Sequence, residues 1–342
     1  MSAWLDARLL PRLLLGLLAS AVVFAWLAYK GSQNGAQFLT VSLNGLTLAA
    51  LYFVVAAGFT LIFGLMRVVN MAHGSLYLLA GYLAFTSQQS WFGVTSNLLF
   101  GHTVSVASWI VPLIFATVVI GVVGVAMQQV LLRWNLGQDL RQALITIALS
   151  VILADQMLAH FGGIAQSIQQ PTAWPNSVPV LGSHYGFFRL LVVVGAALVI
   201  GALLWAVIRL TRFGMIIRAG VDDRAMVSAL GINVQRVFAG AFLIGALLVG
   251  FGGVLGGTMI AVQPGADAKF LLNSLIVVII GGMGSLGGAA IGALALGLVS
   301  AYADVYLKFG STDLTNYSIL LTFILVVVML AVRPLGLFGR PA

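Results

Sequence analysis

The sequence predicts an all-α, polytopic membrane protein. Hydrophobic residues make up 61% of the 342-residue chain and charged residues only 7%, and the mean hydropathy is +1.11. A soluble domain carries about 25% charged residues, so this chain lacks the polar surface to face water. No Asp, Glu, Lys or Arg occurs in residues 68–132. Such long apolar runs indicate membrane helices, because the strands of a membrane barrel alternate in polarity over about ten residues.

Apolar segments of roughly spanning length follow one another along the chain, and we expect about ten crossings (8–10). The first segment, 13–29, follows Arg8 and Arg12 as a signal peptide would, but no small-residue cleavage signature comes after it. We therefore expect residues 1–30 to hold an extra N-terminal span that is retained. The other segments lie at 41–66, 68–86, 107–132, 143–160, 187–208, 237–262, 270–283, 286–305 and 316–332.

The distribution of positive charge predicts that the N- and C-termini are both cytoplasmic. With ten crossings in that orientation, twelve of the 16 Lys and Arg residues fall on the cytoplasmic side and four outside. Cytoplasmic loops of membrane proteins carry such an excess. The net charge of +8 is thus explained by the excess of Lys and Arg in the cytoplasmic loops. Because the charge is spread over short loops, nucleic acid is not an expected partner.

Two of the connecting loops are informative. Residues 161–186 contain three prolines and no charged residue, and their turn-forming composition predicts an ordered cap on the outer face. The cytoplasmic loop 209–236 instead contains five arginines and two aspartates. Within it, Asp222 and Asp223 can cap and charge the start of a short helix. Gly231 then stands where a left-handed C-cap would end that helix.

The short helix of this loop has a small, apolar face at Ala225, Met226, Ala229 and Leu230. Such a helix can dock in the groove of another protein. It can equally rest on lipid headgroups. The residues themselves leave both interpretations open.

Three motifs in order resemble those of the permease subunits of branched-chain amino acid type ABC importers, the LivH/LivM family. They are NGLTLAALYFVVAAGFTLIFGLMRVVNMAHGSLYLLAGY at 44–82, RAGVDDRAMVSALGIN at 218–233 and GGMGSLGGAAIGALALG at 281–297. The resemblance covers about residues 41–332. The chain departs from the family in having Ser75 where an acidic residue often follows His-Gly, and in lacking glutamate altogether.

The resemblance implies a single permease domain, 1–342, in the bacterial inner membrane. Its expected partners are a second homologous permease, two cytoplasmic ATPases, an outer solute-binding protein and membrane lipid. The chain would carry branched-chain amino acids or a related small polar solute, and would be no enzyme. It would bind no cofactor itself, ATP and Mg²⁺ being used by the ATPases, and no Walker A motif occurs in it. The expected ATPase-coupling residues are Arg218, Asp222, Asp223, Arg224, Ala225, Ala229 and Gly231.

Polar residues within the spans are candidates for the translocation path or its gate. A weakly polar lining suits a path that must release its solute, although hydrogen bonding between helices is the simpler explanation of such groups. Asp155 is notable because it is an acid well inside an apolar run, where a carboxylate is costly. The candidates are Asn44, Thr47, Thr60, Asn70, His73, Thr146, Ser150, Asp155, Asn273 and Ser274.

His73 is expected in the first turn of a span near the cytoplasmic boundary, with Asn70 as the N-cap. The positive end of the helix favours a neutral imidazole there, which predicts a hydrogen bond to a neighbouring span. A metal site is not expected, because cysteine is absent and the other histidines share no ligand spacing. The alternative function is an ion-coupled secondary transporter with Asp155 and His73 as a proton relay.

Overall fold

The computed structural model describes residues 29, 31–66, 70–94, 103–135, 138–222, 224–309 and 312–339. The expected span at 13–29 lies outside these residues, apart from Tyr29, and so does Asp223. The described helices are α1 (Gly35–Met66), α2 (His73–Phe92), α3 (Ala107–Met127), α4 (Asp139–Phe161), α5 (Val194–Leu210), α6 (Arg212–Asp222), α7 (Arg224–Ala229), α8 (Val234–Met259), α9 (Ala266–Gly281), α10 (Leu286–Tyr306) and α11 (Ser318–Val332).

Two of these helices continue into turns that are tighter or wider than those of an α-helix. A π-helical turn, Gln128–Leu132, and a 3₁₀ turn, Arg133–Asn135, continue α3, while a π-helical turn, Phe188–Val193, leads into α5. The strands are short. Strands β1 (Ser177–Val180) and β2 (Ser183–Gly186) form an antiparallel hairpin, as do β3 (Lys308–Phe309) and β4 (Thr312–Asp313).

The prediction of a polytopic helical membrane protein is confirmed, but the structure does not support the count of ten. Six described helical stretches are long and apolar enough to cross a membrane: 35–64, 107–135, 139–161, 188–210, 234–259 and 286–306. The helix α11 is apolar but has only 15 residues, and α9 has 16. About 20 residues are needed to span the hydrocarbon. The number of crossings therefore stays a prediction, with six long apolar helical stretches among the described residues.

The centre of the bundle is α1. In its apolar stretch 83% of the residues are buried, against 11% in α4. Glycines let the neighbouring helices approach closely: a Cβ on Gly297 of α10 would lie 2.5 Å from the carbonyl oxygen of Gly45, and one on Gly252 of α8 would lie 2.6 Å from Val55. By contrast, α4 and α5 expose many apolar side chains, a surface suited to lipid or to another membrane protein.

The two ends of the bundle differ. We call one end the hairpin end, because it carries the β1–β2 hairpin and the segment 162–176. Hydrogen bonds connect this segment to the rest of the bundle. Gln166 and Val262 exchange two N–H···O bonds of 2.8 and 2.6 Å. The side chain of Gln88 accepts from the N–H of Gln169 at 2.9 Å and donates to its carbonyl at 2.9 Å. The expectation of an ordered cap over 161–186 is thus confirmed.

The opposite end, which we call the arginine end, carries α6 and α7. It also holds the residues that join α3 to α4 and α9 to α10. Eight described arginines lie at or next to this end: Arg133, Arg141, Arg209, Arg212, Arg218, Arg224, Arg236 and Arg333.

Candidate functional site: a polar seam and an acidic cavity

The helix α2 begins deep inside the bundle. His73 lies beside Val55 of α1, eleven residues before the end of α1 at Met66. At 1.5 Å per residue this is about 16 Å along α1. The helix α2 therefore starts beside the middle of α1, and the position of His73 relative to the cytoplasmic boundary stays a prediction.

Asn70 does not occupy the N-cap position, which Ala72 takes. Instead, the side-chain oxygen of Asn70 accepts a hydrogen bond from the N–H of Ala72 at 3.1 Å. Its backbone carbonyl accepts from the N–H of His73 at 3.2 Å. Asn70 thus satisfies two of the N–H groups at the helix start from two positions before the N-cap.

The imidazole of His73 is fully buried and hydrogen-bonds to α1. Nε2 lies 3.0 Å from the carbonyl oxygen of Val55, and the ring packs edge-on against Phe59 at 5.3 Å. A carbonyl oxygen only accepts, so Nε2 carries the proton. The prediction of a hydrogen bond to a neighbouring span is confirmed.

Hydroxyl groups of α4 bind the start of α2. Thr146 Oγ1 accepts from the N–H of Met71 at 3.2 Å, and the hydroxyls of Ser75 and Ser150 are 2.8 Å apart. We call Asn70, His73, Ser75, Thr146 and Ser150 the polar seam. It joins α1, α2 and α4 through side-chain hydrogen bonds.

Two other candidates form a separate cluster toward the hairpin end. The hydroxyl of Tyr185, in β2, donates to Asn44 Oδ1 at 2.8 Å and lies 3.1 Å from Thr47 Oγ1. These contacts anchor the hairpin on α1. Asn44 and Thr47 are therefore not part of the polar seam.

Three further candidates remain within their own helices. The hydroxyl of Thr60 donates to the carbonyl of Ala56 at 2.7 Å, and that of Ser274 donates to the carbonyl of Phe270 at 2.8 Å. Such back-bonding satisfies a buried hydroxyl locally. Asn273, next to Ser274, is buried in α9. The structure does not bring these side chains to the polar seam.

Asp155 lines a cavity of about 410 Å³ between α2, α4 and the start of α9. Asp267 and Tyr82 also line it, with an apolar wall that includes Leu78 and Met157. We call it the acidic cavity. Asp155 is exposed at its open side, whereas Asp267 is only 9% exposed.

Sequence reasoning missed Asp267 and Tyr82 as partners of Asp155. Asp267 was assigned to the loop before the span 270–283, but α9 begins at Ala266 and includes it. Its carbonyl packs so closely against Gly74 that a Cβ there would overlap it. The signal available in the sequence was the small residue Gly74, which permits the start of α9 to approach the start of α2 closely.

The described residues of the arginine-rich loop are helical on both sides of Asp223, as α6 (Arg212–Asp222) and α7 (Arg224–Ala229). Asp222 is itself helical and belongs to α6 rather than preceding a helix as its cap. Gly231 has a φ of 78°, which confirms the expected left-handed residue after the helix. Met226 and Leu230 are 64% and 72% exposed, while Val227 is buried. Arg218 and Ala229 are exposed as well, so the surface combines apolar and basic groups.

Long apolar helices around a buried central helix define a polytopic helical membrane protein. The comparisons with known proteins give the family. Residues 41–330 match the family model described as "Branched-chain amino acid transport system / permease component". The chain therefore belongs to this family. It is a permease subunit of an ATP-binding-cassette importer and an inner-membrane protein.

The relatives are similar along nearly their whole length. The high-affinity branched-chain amino acid permease LivH of Salmonella typhimurium is 29% identical over 91% of this chain and 98% of its own. BraD of Pseudomonas aeruginosa is 30% identical over 89% and 97%, and a probable LivH of Methanocaldococcus jannaschii is 24% identical over 84% and 88%. No solved structure gives a significant match.

Proposed function

We propose that this chain forms the translocation path for branched-chain amino acids or a related small polar solute. The observation that carries the proposal is the family match over residues 41–330, with relatives named as high-affinity branched-chain amino acid permeases. The acidic cavity supports it, since its apolar wall and polar groups resemble the lining of a small-molecule site.

The arginine end is cytoplasmic in this proposal. Eight described arginines lie there, and the described Lys and Arg residues near the hairpin end are only Arg189, Lys269 and Lys308. This asymmetry agrees with the positive-inside rule. The hairpin end then faces outward, where a solute-binding protein would deliver the solute.

The helix α7 is the proposed contact for the partner ATPases. Met226 of α7 and Leu230, the residue after it, are exposed at the arginine end, and an exposed apolar helix face flanked by charge is a common docking element. Two ATPase subunits would supply ATP hydrolysis with Mg²⁺, and a second homologous permease would complete the path. This chain is thus a transport subunit, with the ATPase site in its partners.

The positions of Asp155 and His73 do not favour the proton-relay alternative. His73 hydrogen-bonds to Val55 in the polar seam, whereas Asp155 lines the acidic cavity beside Tyr82. Ser150, not Asp155, lies beside the start of α2, and Asp155 follows it by five residues on α4, or about 8 Å at 1.5 Å per residue. A relay needs groups within hydrogen-bond reach of one another or of a bridging water.

Uptake in a strain that lacks the gene tests the substrate. We expect uptake of radiolabelled leucine to fall in the deletion strain, to return on complementation, and to be blocked by excess isoleucine or valine. Excess urea, acetamide or benzoate should leave it unchanged. Unaltered leucine uptake together with lost urea or amide uptake would reassign the substrate.

A further inference from the structure

The acidic cavity has the size and the walls of a small-molecule site. Its volume of about 410 Å³ falls in the range of about 300–1,000 Å³ that is typical of ligand pockets. The wall on the side of α2 and α4 is apolar, with Leu78, Val151 and Met157 among its residues. An aliphatic side chain would be well accommodated against that wall.

The charge of the cavity is negative and locally unbalanced. Asp155 and Asp267 line it, and no Lys, Arg or His is among the described residues that do so. Carboxylates next to a low-dielectric wall are costly without a cation. The site is therefore suited to a positively charged group, and it disfavours a free carboxylate.

Tyr82 provides an independent indication of a ligand. Its side chain is completely buried, and its hydroxyl has no hydrogen-bond partner among the described residues. The ring is fixed by stacking on Phe161, with centroids 4.3 Å apart and planes 2° apart. Buried hydroxyls are nearly always paired, so the unpaired hydroxyl of this cavity-lining residue is a candidate acceptor for a donor that binds in the cavity.

We propose that the acidic cavity binds the ammonium group of the transported solute, with Asp155 and Asp267 as counter-charges and Tyr82 as a hydrogen-bond acceptor. The aliphatic part of the solute then lies against Leu78 and Met157. The proposal rests on the proposed function in taking the ligand to be an amino acid. The open side at Asp155 gives the solute access to the cavity.

Direct binding to the purified full chain in lipid nanodiscs tests the site. The probes are radiolabelled 3-methylbutylamine, which has the ammonium group and a branched aliphatic chain, and unlabelled 4-methylpentanoate, which has only the carboxylate. We expect the amine to bind and leucine to displace it, while 4-methylpentanoate does not. The variant Asp267→Asn should weaken amine binding about tenfold or more, and Asp155→Asn and Tyr82→Phe about threefold to tenfold.

The matched control is Asp139→Asn, an exposed acid in the first turn of α4 that is outside the cavity. It should leave amine binding unchanged. If Asp267→Asn does not fold, Asp155→Asn at the exposed rim gives the same readout on an intact protein. Wild-type affinity in Asp155→Asn together with Tyr82→Phe would overturn the proposal, as would equal binding of 4-methylpentanoate and the amine.

Uptake measurements distinguish a failure of the cavity assignment from a failure of the proposed function. If the wild-type chain supports leucine uptake but the cavity variants bind the amine as wild type does, only the cavity assignment fails. If the amine binds in the cavity but deletion of the gene leaves leucine uptake unchanged, the substrate is wrong and the site is one for another ammonium compound.

Discussion

His73 connects the first turn of α2 to the middle of α1 by a single side-chain hydrogen bond, from Nε2 to the carbonyl oxygen of Val55 at 3.0 Å. Its Nδ1 has no hydrogen-bond partner among the described residues. A second proton on the buried Nδ1 would have no acceptor and would leave an unpaired charge in the bundle, which is costly, so the ring is best described as neutral with the proton on Nε2. The side chain therefore acts as a donor and as a packing element against Phe59.

Substituting His73→Gln should largely preserve assembly and uptake, because the amide nitrogen of glutamine can donate to the same carbonyl. The control His73→Ala loses the donor and leaves a cavity, which we expect to cost about 2–4 kcal/mol of unfolding free energy. Thermal unfolding in nanodiscs and uptake in cells measure the two effects. Normal assembly of His73→Gln with complete loss of transport would assign His73 a direct role in transport.

The candidate residues were only partly predictable from the sequence. Asp155 stood out because an acid in an apolar run is rare, and the structure places it in the acidic cavity. Ser75 was noticed only as a departure from the family, yet it pairs with Ser150. Which hydroxyls meet depends on how α2 packs against α4, and no local pattern in the sequence encodes that contact.

Close packing between α1 and α10 depends on glycine at the contact. A Cβ on Gly297 would lie 2.5 Å from both the N–H nitrogen of Ala49 and the carbonyl oxygen of Gly45. These are backbone atoms, which cannot move aside as a side chain would. The two helices must therefore separate if the glycine is replaced.

We expect Gly297→Ala to lower the unfolding free energy by about 1–3 kcal/mol through overpacking. The control is Gly195→Ala in α5, where an added Cβ would meet nothing within 4 Å and alanine is the better helix former. Thermal unfolding of both variants in nanodiscs gives the comparison. Equal stability of the two would show that α1 and α10 pack less closely than described.

The exposed face of α7 should be required for binding the ATPases but not for folding. Met226→Asp or Leu230→Asp places a carboxylate on that face, and we expect co-purification of the ATPase subunit to fall at least tenfold, since an apolar anchor at an interface contributes about 2 kcal/mol or more. The control is Leu181→Asp, which is 89% exposed at the hairpin end. Undiminished co-purification of both α7 variants would place the contact elsewhere.

The helices themselves were predictable where the apolar run was long enough. The predicted segments 107–132, 187–208 and 286–305 coincide with helical stretches that the structure describes. The start of α2 was not predictable, because a hydropathy pattern does not show how deep in the bundle a helix begins. The predicted segment 270–283 lies within α9, whose 16 residues are fewer than the about 20 that a straight span needs.

The unequal charge of the two ends predicts the orientation of the molecule in the membrane. The sequence contains no cysteine, so single cysteines can be introduced without background labelling. We expect Leu181→Cys to react with an impermeant maleimide in intact cells, and Leu230→Cys, which is 72% exposed, to react only after permeabilisation. The reverse pattern would invert the topology and move the proposed ATPase contact to the outside.

The central claim is that this chain supplies the path of an ATP-driven importer. The most direct measurement is leucine uptake into proteoliposomes that contain this chain, its partner permease, the ATPase subunits and the solute-binding protein. We expect uptake to require ATP inside the vesicles and to stop when the ATPases or this chain are omitted. Uptake by this chain alone, driven by a proton or sodium gradient without ATP, would contradict the account.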